Sequence, residues 1–199
     1  MRWKFLLALA ALLVAVGLAG TAWLLRDPLP RMLERRSALV QVKELDSEVA
    51  DDARFESVRL IATSGLALNV TVRRHLADSI GRLPTMVILG GHLTGAQAGR
   101  LVPATPGLIV AGMSYPFDGN PRPSAATFIA EIPQIRGAFL DTPPALMLAL
   151  DYLTRRGDVD TTRIEAVGVS LGAPFVTIAA SLDDRFSRVW ALHGTGGSY

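Results

Sequence analysis

The sequence contains no cysteine and only three histidines among its 199 residues. Without cysteine, disulfides, thiolate metal ligands and a cysteine nucleophile are all excluded. His75, His92 and His193 are too far apart in sequence to form the short-spaced pairs typical of metal ligands. The sequence therefore predicts no metal site, and it shows no motif for which we predict another cofactor. The net charge is only +2, with basic residues scattered among acidic ones, which argues against a nucleic-acid partner.

Charged residues are also absent from the run Phe5 to Leu25. As an α-helix, this run is long enough to cross the ~30 Å hydrocarbon core of a bilayer. Arg2 and Lys4 precede it and favour export of the remainder of the chain, although arginines after the run weaken that asymmetry. Residues 1–26 are therefore predicted to be a membrane signal anchor or a signal peptide. The rest of the chain is predicted to lie on the exported side, periplasmic or extracellular.

Residues 27–54 are rich in charge, contain prolines and show little periodic hydrophobicity. This composition predicts a linker between the N-terminal segment and a domain that begins at Phe55. A short helix over residues 33–42 is compatible with the linker.

From Phe55 onward the hydrophobic pattern is that of a folded domain over residues 55–199. Leu66, Leu68 and Val70 alternate with less apolar neighbours, which predicts a strand paired with Phe55–Ala62 in an antiparallel hairpin. Continuous apolar runs, typical of strands covered on both faces, follow at Pro84–Leu89, Gly107–Gly112 and Val189–Leu192. A helical pattern covers Ala145–Arg155, with Thr142 as its predicted N-cap. Strands alternating with helices predict an α/β fold whose sheet is parallel in its centre.

The motif that carries chemistry is Gly168-Val169-Ser170-Leu171-Gly172, which fits Gly-x-Ser-x-Gly. An apolar run precedes it and a small-residue run of helical character follows, so the motif joins a strand to a helix. In that context the serine occupies a strained turn that projects its hydroxyl from the sheet edge. Gly168 and Gly172 would let the strand and helix backbones pass closely. Ser170 is therefore predicted to be a nucleophile, with the Leu171 N–H at the helix start as an oxyanion donor.

These elements, in this order, resemble the α/β-hydrolase family in its dienelactone-hydrolase-like and esterase branches. The likeness covers about Phe55 to Tyr199. It rests on the opening hairpin, on Val87–His92 as third strand and oxyanion turn, on the Ser170 elbow, and on Val189–His193 as sixth strand. It implies a mostly parallel sheet with an N-terminal antiparallel hairpin, preceded by a hydrophobic N-terminal helix.

The resemblance also implies an oxyanion hole formed by the backbone N–H groups of Leu171 and His92. Gly90-Gly91 stands where many relatives have His-Gly, a tolerable change because the backbone carries the function. The partner implied is a small-molecule acyl substrate, most simply a carboxylic ester. A serine peptidase on the same fold is an alternative that the sequence does not separate from an esterase.

The sequence departs from the family in its triad, which runs in the order serine, acid, histidine. After Ser170 the chain offers Asp183, Asp184 and His193. Both aspartates lie in the turn that leaves the elbow helix, and the histidine comes earlier than the family's base. The acid and the histidine are therefore predicted to lie beyond Tyr199, in a domain incomplete at its C-terminus. A membrane-tethered, non-catalytic binding protein that has lost the triad is the other class of function.

Overall fold

The computed structural model describes residues 2–78, 81–91, 94–117, 119 and 124–192. The chain divides into two compact units, Met1–Pro30 and Arg31–Tyr199. The first unit contains helix α1, Arg2–Leu24, which covers most of the predicted N-terminal apolar run.

The prediction of a membrane anchor over Phe5–Leu25 is not supported. Counting the residues whose placement is described, the structure has no helix that is both long and apolar enough to cross a membrane.

The second unit is built on a seven-stranded sheet in the order β1-β2-β3-β5-β4-β6-β7. The strands are β1 Leu39–Ala50, β2 Ala53–Ala62, β3 Ala67–His75, β4 Leu83–Leu89, β5 Ile109–Met113, β6 Val159–Val169 and β7 Arg188–Leu192. The helices of this unit are α2 Leu29–Arg35, which begins at the end of the first unit, α3 Ala125–Thr154, α4 Gly172–Leu182 and the 3-10 helix Gly95–Leu101.

The strand pairing confirms the predicted fold class. β2 and β3 form the antiparallel hairpin, and β4 pairs in parallel with both β5 and β6, as does β6 with β7. Because β3 joins β5 antiparallel, β1 and β3 run against all the other strands. The carboxyl ends of β4, β5, β6 and β7 consequently meet at one edge of the sheet.

The predicted linker over residues 27–54 is wrong for most of its length. Leu39–Ala50 is a strand at the edge of the sheet, paired antiparallel with β2 along its whole length. Only Leu39 of this strand is buried, while the residues after it are almost all exposed. A strand with both faces in solvent has no period-two hydrophobicity, so backbone pairing rather than sequence pattern defines it.

Helix α3 also begins much earlier than the sequence indicates. It starts at Ala125, where the Ser124 hydroxyl accepts a hydrogen bond from the Thr127 N–H at 3.3 Å. Thr142 does not cap a helix; its hydroxyl donates to the Ala138 carbonyl at 2.7 Å inside α3. Proline is uncommon in a helix interior, so the sequence pattern around Pro143 indicates a helix start where the structure has a continuous helix.

The core lies mainly between the sheet and helices α3 and α4. It contains Leu89 from β4, Ile164 from β6, Leu150 from α3 and Val176 from α4, all essentially inaccessible to solvent. A smaller cluster on the opposite face of the sheet packs the 3-10 helix through Ala98. The sheet is thus covered on both faces beside the edge where the parallel strands end.

Candidate active site

Ser170 occupies the turn between the end of β6 and the start of α4. Its φ is +54°, in the left-handed region that side chains other than glycine rarely adopt. The residue is exposed, although Gly168 and Gly172 on either side of it are buried. A strained, exposed serine at the carboxyl end of an interior parallel strand is the geometry that the Gly-x-Ser-x-Gly motif predicts.

The two motif glycines are required by close backbone contacts. A Cβ on Gly168 would lie 2.5 Å from the Gly172 carbonyl oxygen and 2.6 Å from the Cα of Ala173. A Cβ on Gly172 would lie 2.1 Å from the carbonyl oxygen of Leu89. The turn is therefore sharp because its glycines let α4 fold directly back over β6 and β4.

Backbone hydrogen bonds hold the turn on both sides of Ser170. The Ser170 N–H donates to the Leu192 carbonyl at the end of β7 over 2.8 Å, and the Ala173 N–H donates to the Ser170 carbonyl over 3.1 Å. Leu171 is the N-cap residue of α4, with φ −57° and ψ −28°. Its N–H therefore lies at the positive end of the helix, where negative charge is favoured.

The glycine turn after β4 lies beside Ser170. A Cβ built on Gly91 would lie 3.7 Å from the Cβ of Ser170. The Thr94 hydroxyl donates to the Gly91 carbonyl at 2.8 Å, which closes the turn locally. His92, the second predicted oxyanion donor, lies outside the described residues.

Tyr115 is a residue of this site that the sequence reasoning missed. Its hydroxyl donates to the Gly90 carbonyl at 2.7 Å, and its ring meets Phe175 of α4 edge-on at 6.0 Å between centroids. Burial raises the pKa of Tyr115 above its ordinary value, which extends the pH range over which the hydroxyl is protonated and can donate. The sequence feature that could have identified it is its position just after β5, which places Tyr115 at the same sheet edge as Ser170.

A largely apolar cavity of about 380 Å³ opens next to Gly91. Its lining comes from the carboxyl halves of β4, β6 and β7 and from the 3-10 helix region, and includes Ile88, Val102, Val169, Trp190 and Leu192. Cavities of this size and apolarity accept small organic ligands.

The aspartates after Ser170 serve another purpose in the structure. Asp183 is buried at the far end of α4, where Arg185 donates to it at 2.9 and 2.7 Å and Arg36 at 3.3 Å. Burial by itself would raise the pKa of Asp183, but the hydrogen bonds from Arg185 outweigh it and hold the pKa below its usual value. Asp183 is thus an ionised structural carboxylate, and Asp184 is exposed in the following turn.

Among the described residues, no imidazole or carboxylate hydrogen-bonds the Ser170 hydroxyl. The histidine that this part of the chain contains is His75, at the end of β3. The end of β3 lies beside the amino end of β5, at the sheet edge opposite Ser170. His193 lies outside the described residues.

No family model matches the chain, and no curated protein matches it. Solved structures do match. They include acetyl xylan esterase 1 from Thermoanaerobacterium sp., with a TM-score of 0.57, 18% identity and 82% of this chain covered. An acetyl xylan esterase from Paenibacillus sp. has the same TM-score and identity over 80% of the chain. A glucuronoyl esterase from Solibacter usitatus has a TM-score of 0.53 at 15% identity over 86%.

These similarities and the strand order together define the fold: the chain has the α/β-hydrolase fold. It spans 56%, 55% and 58% of the three matched structures, in the order given, which is little more than half of each.

Proposed function

We propose that this protein is a serine hydrolase that cleaves a carboxylic ester of a small molecule through an acyl-enzyme on Ser170. The observation that carries the proposal is the exposed Ser170 at φ +54° between a parallel strand and a helix N-terminus. Maintaining a non-glycine residue in that conformation costs free energy, and such strain is concentrated at functional sites. The names of the matched structures, which are esterases, support the choice of an ester bond.

In the proposed reaction, the Ser170 hydroxyl oxygen attacks the substrate carbonyl carbon. The negative charge that develops on the carbonyl oxygen is accepted by the backbone N–H of Leu171 and, we propose, that of His92. Collapse of the tetrahedral intermediate expels the alcohol and leaves the acyl group on Ser170. Water then releases the acid.

A general base is needed to take the Ser170 proton and to activate that water, because an unassisted serine hydroxyl is a weak nucleophile. Residues 2–78, 81–91, 94–117, 119 and 124–192 supply no such base beside Ser170. We propose that a histidine and an acidic residue outside these ranges complete the triad. We also propose that the domain is exported, on the strength of Arg2 and Lys4 ahead of the uncharged N-terminal run.

A fluorophosphonate probe tests this function, applied to the protein expressed from its full reading frame. The probe should label the wild type and not Ser170→Ala. Ser181→Ala is the matched control, since Ser181 is an exposed serine of α4 whose hydroxyl donates to the Ile178 carbonyl at 2.7 Å. Labelling that survives Ser170→Ala would show that the nucleophile is another residue. Hydrolysis of p-nitrophenyl acetate but not of a peptide anilide would separate an esterase from a peptidase.

A non-catalytic binding protein is the second candidate. It is favoured by one observation, the absence of a hydrogen-bonded imidazole or carboxylate at the Ser170 hydroxyl among the described residues. Under this alternative the folded protein resists the probe, while small apolar ligands still bind beside Gly91.

A further inference from the structure

Arg73, near the end of β3, is a buried arginine. It lies on β3 in register with Val110 of β5, and only 3% of its surface is accessible. The charged end of an arginine is rarely placed so deeply unless it is fully hydrogen-bonded, because removing it from water is costly. The hydrogen-bond acceptors of its guanidinium therefore indicate the role of this residue.

Its guanidinium donates to three backbone carbonyls in one short segment, residues 99–103. Nη1 donates to the carbonyl of Gly99 at 3.1 Å and to that of Val102, and Nη2 donates to the carbonyl of Pro103 at 3.0 Å. Within the described part of the chain, no carboxylate forms an ion pair with it. Arg73 thus directs its donors at the end of the 3-10 helix, where carbonyls lack helical partners.

The 99–103 segment is part of the wall of the cavity next to Gly91. Val102 lines the cavity, as does Ala98 just before the segment. Just before the 3-10 helix, the Thr94 hydroxyl donates to the Gly91 carbonyl. After the helix ends at Leu101, residues 102–108 form neither a strand nor a helix.

Other side chains also contact the 99–103 segment. The exposed Thr105 hydroxyl donates to the Pro103 carbonyl at 3.3 Å, and Arg100 extends from within the segment. It packs over the Phe55 ring at 4.1 Å and pairs with Glu48. Both members of that ion pair are partly exposed, with 35% and 43% of their side-chain surface accessible. Exposed ion pairs contribute little because water screens them, whereas buried hydrogen bonds from a charged group contribute more. Among the polar contacts of the segment, the buried hydrogen bonds from Arg73 therefore contribute most, beside the apolar packing of Ala98 and Val102 against Ile88 and Val110.

We propose that Arg73 is a positioning residue that holds the 99–103 segment as the apolar wall of the substrate cavity, and so determines which esters bind. The proposal rests on the proposed function for the use of the cavity, but not for the placement of the segment. When the three hydrogen bonds are lost, Val102 moves away from the cavity. Substrates with an apolar chain then bind less well, while the Ser170 turn is unaffected.

Arg73→Met keeps the length of the side chain and removes its donors, and Arg73→Lys keeps a charge without the planar fork. Arg74→Met is the matched control, because Arg74 is the next residue on the opposite face of β3 and pairs with Asp158 at 3.5 Å. Steady-state kinetics on p-nitrophenyl acetate, p-nitrophenyl hexanoate and hexyl acetate vary the apolar chain on each side of the ester. If the free energy of one lost Arg73 hydrogen bond is transmitted to the cavity wall, substrate affinity falls about tenfold.

We expect Arg73→Met to raise the KM of at least one hexyl-chain ester about tenfold more than that of p-nitrophenyl acetate. The turnover number should stay within about twofold of the wild type. Arg73→Lys should give an intermediate KM, and Arg74→Met should leave the KM ratio of the esters unchanged. Equal effects on all three esters, or the same change in Arg74→Met, would overturn the proposal. If Arg73→Met does not fold, the KM ratio of Arg73→Lys decides in the same way.

Hydrogen exchange separates a failure of this proposal from a failure of the proposed function. In Arg73→Met or Arg73→Lys, the amides of residues 99–102 should exchange about tenfold faster, with those of β2 and β3 unchanged. This result supports the positioning role even if the wild type shows no Ser170-dependent hydrolysis. Unchanged exchange at these amides contradicts the positioning role, whatever the activity.

Discussion

Gly172, the first residue of α4, packs directly on Leu89, the last residue of β4: a Cβ at Gly172 would lie 2.1 Å from the Leu89 carbonyl oxygen. The contact joins the serine turn to the strand that leads into the Gly90-Gly91 turn, so the two turns depend on the same packing. Because the contact atom belongs to the backbone, a side chain at position 172 cannot be accommodated by a rotamer change.

Gly172→Ala should therefore destabilise the protein by about 2–3 kcal/mol, the cost of forcing an extra methyl group into a packed interior. Gly157→Ala is the control, since a Cβ there meets no atom within 4 Å. Urea unfolding of the two variants measures the difference. Equal midpoints would mean that α4 shifts easily and that the close contact is not a constraint.

The strain at Ser170 can be measured without any assumption about catalysis. At φ +54°, alanine pays the left-handed penalty and glycine does not, so Ser170→Gly should be more stable than Ser170→Ala by about 1 kcal/mol. At Ser181, in the last turn of α4, the order should reverse because glycine is a poor helix former. Thermal unfolding of the glycine and alanine variants at Ser170 and at Ser181 measures which of the two residues is the more stabilising at each position. The same order at both positions would argue against strain at Ser170.

Tyr115→Phe should weaken the glycine turn beside Ser170. It removes the hydrogen bond to the Gly90 carbonyl at 2.7 Å and leaves that buried acceptor unpaired, at a cost of about 1–2 kcal/mol. Ser170-dependent ester hydrolysis should fall roughly tenfold in kcat/KM if the turn carries an oxyanion donor. Tyr152→Phe is the control, since the Tyr152 hydroxyl accepts from Arg156. Loss of stability with unchanged kcat/KM would assign Tyr115 a purely structural role.

Asp183 should make the stability of the protein depend on pH in the acid range. Its pKa is lower in the folded state than in the unfolded chain, so the unfolded chain binds more protons between the two values. The stabilisation is complete above the unfolded pKa of about 3.9 and is lost as the pH falls through the folded pKa. Asp183→Asn should cost about 2 kcal/mol at pH 7, by weakening its bonds to Arg185, and flatten the acid limb of the stability profile.

Asp184→Asn is the comparison for that experiment, because Asp184 is exposed in the same turn. At each pH from 7 to 3, the free energy of unfolding of Asp184→Asn should be close to that of the wild type, with the same loss of stability in acid. A stability profile for Asp183→Asn parallel to that of the wild type would mean that another carboxylate produces the acid dependence.

The features that the sequence predicted correctly are those that leave a local pattern. The alternation around Leu68 identified the hairpin, the buried run before Ser170 identified β6, and the small residues after it identified α4. The motif glycines indicated a sharp turn, and the structure shows the contacts that require them. The roles of Ser170, Leu171 and His92 remain predictions that the labelling and kinetic experiments test.

The features that were missed depend on partners distant in the chain. Strand β1 has an exposed surface on both faces, so only its pairing with β2 makes it a strand. The early start of α3 was obscured by Pro133 and Pro143, because proline in a sequence indicates a helix start or end, whereas the structure places both inside α3.

The sequence by itself determined the serine turn, because strand, glycines and helix are contiguous and their geometry is local. The tertiary structure alone decided what surrounds that turn. Tyr115 reaches Gly90 and Arg73 reaches Gly99 across 25 and 26 residues of chain, respectively. No local periodicity encodes those contacts, since they arise from the order in which β3, β5 and β4 lie side by side. The position of Ser170 is thus determined by adjacent residues, whereas the shape of the cavity next to Gly91 is determined by the packing of the sheet.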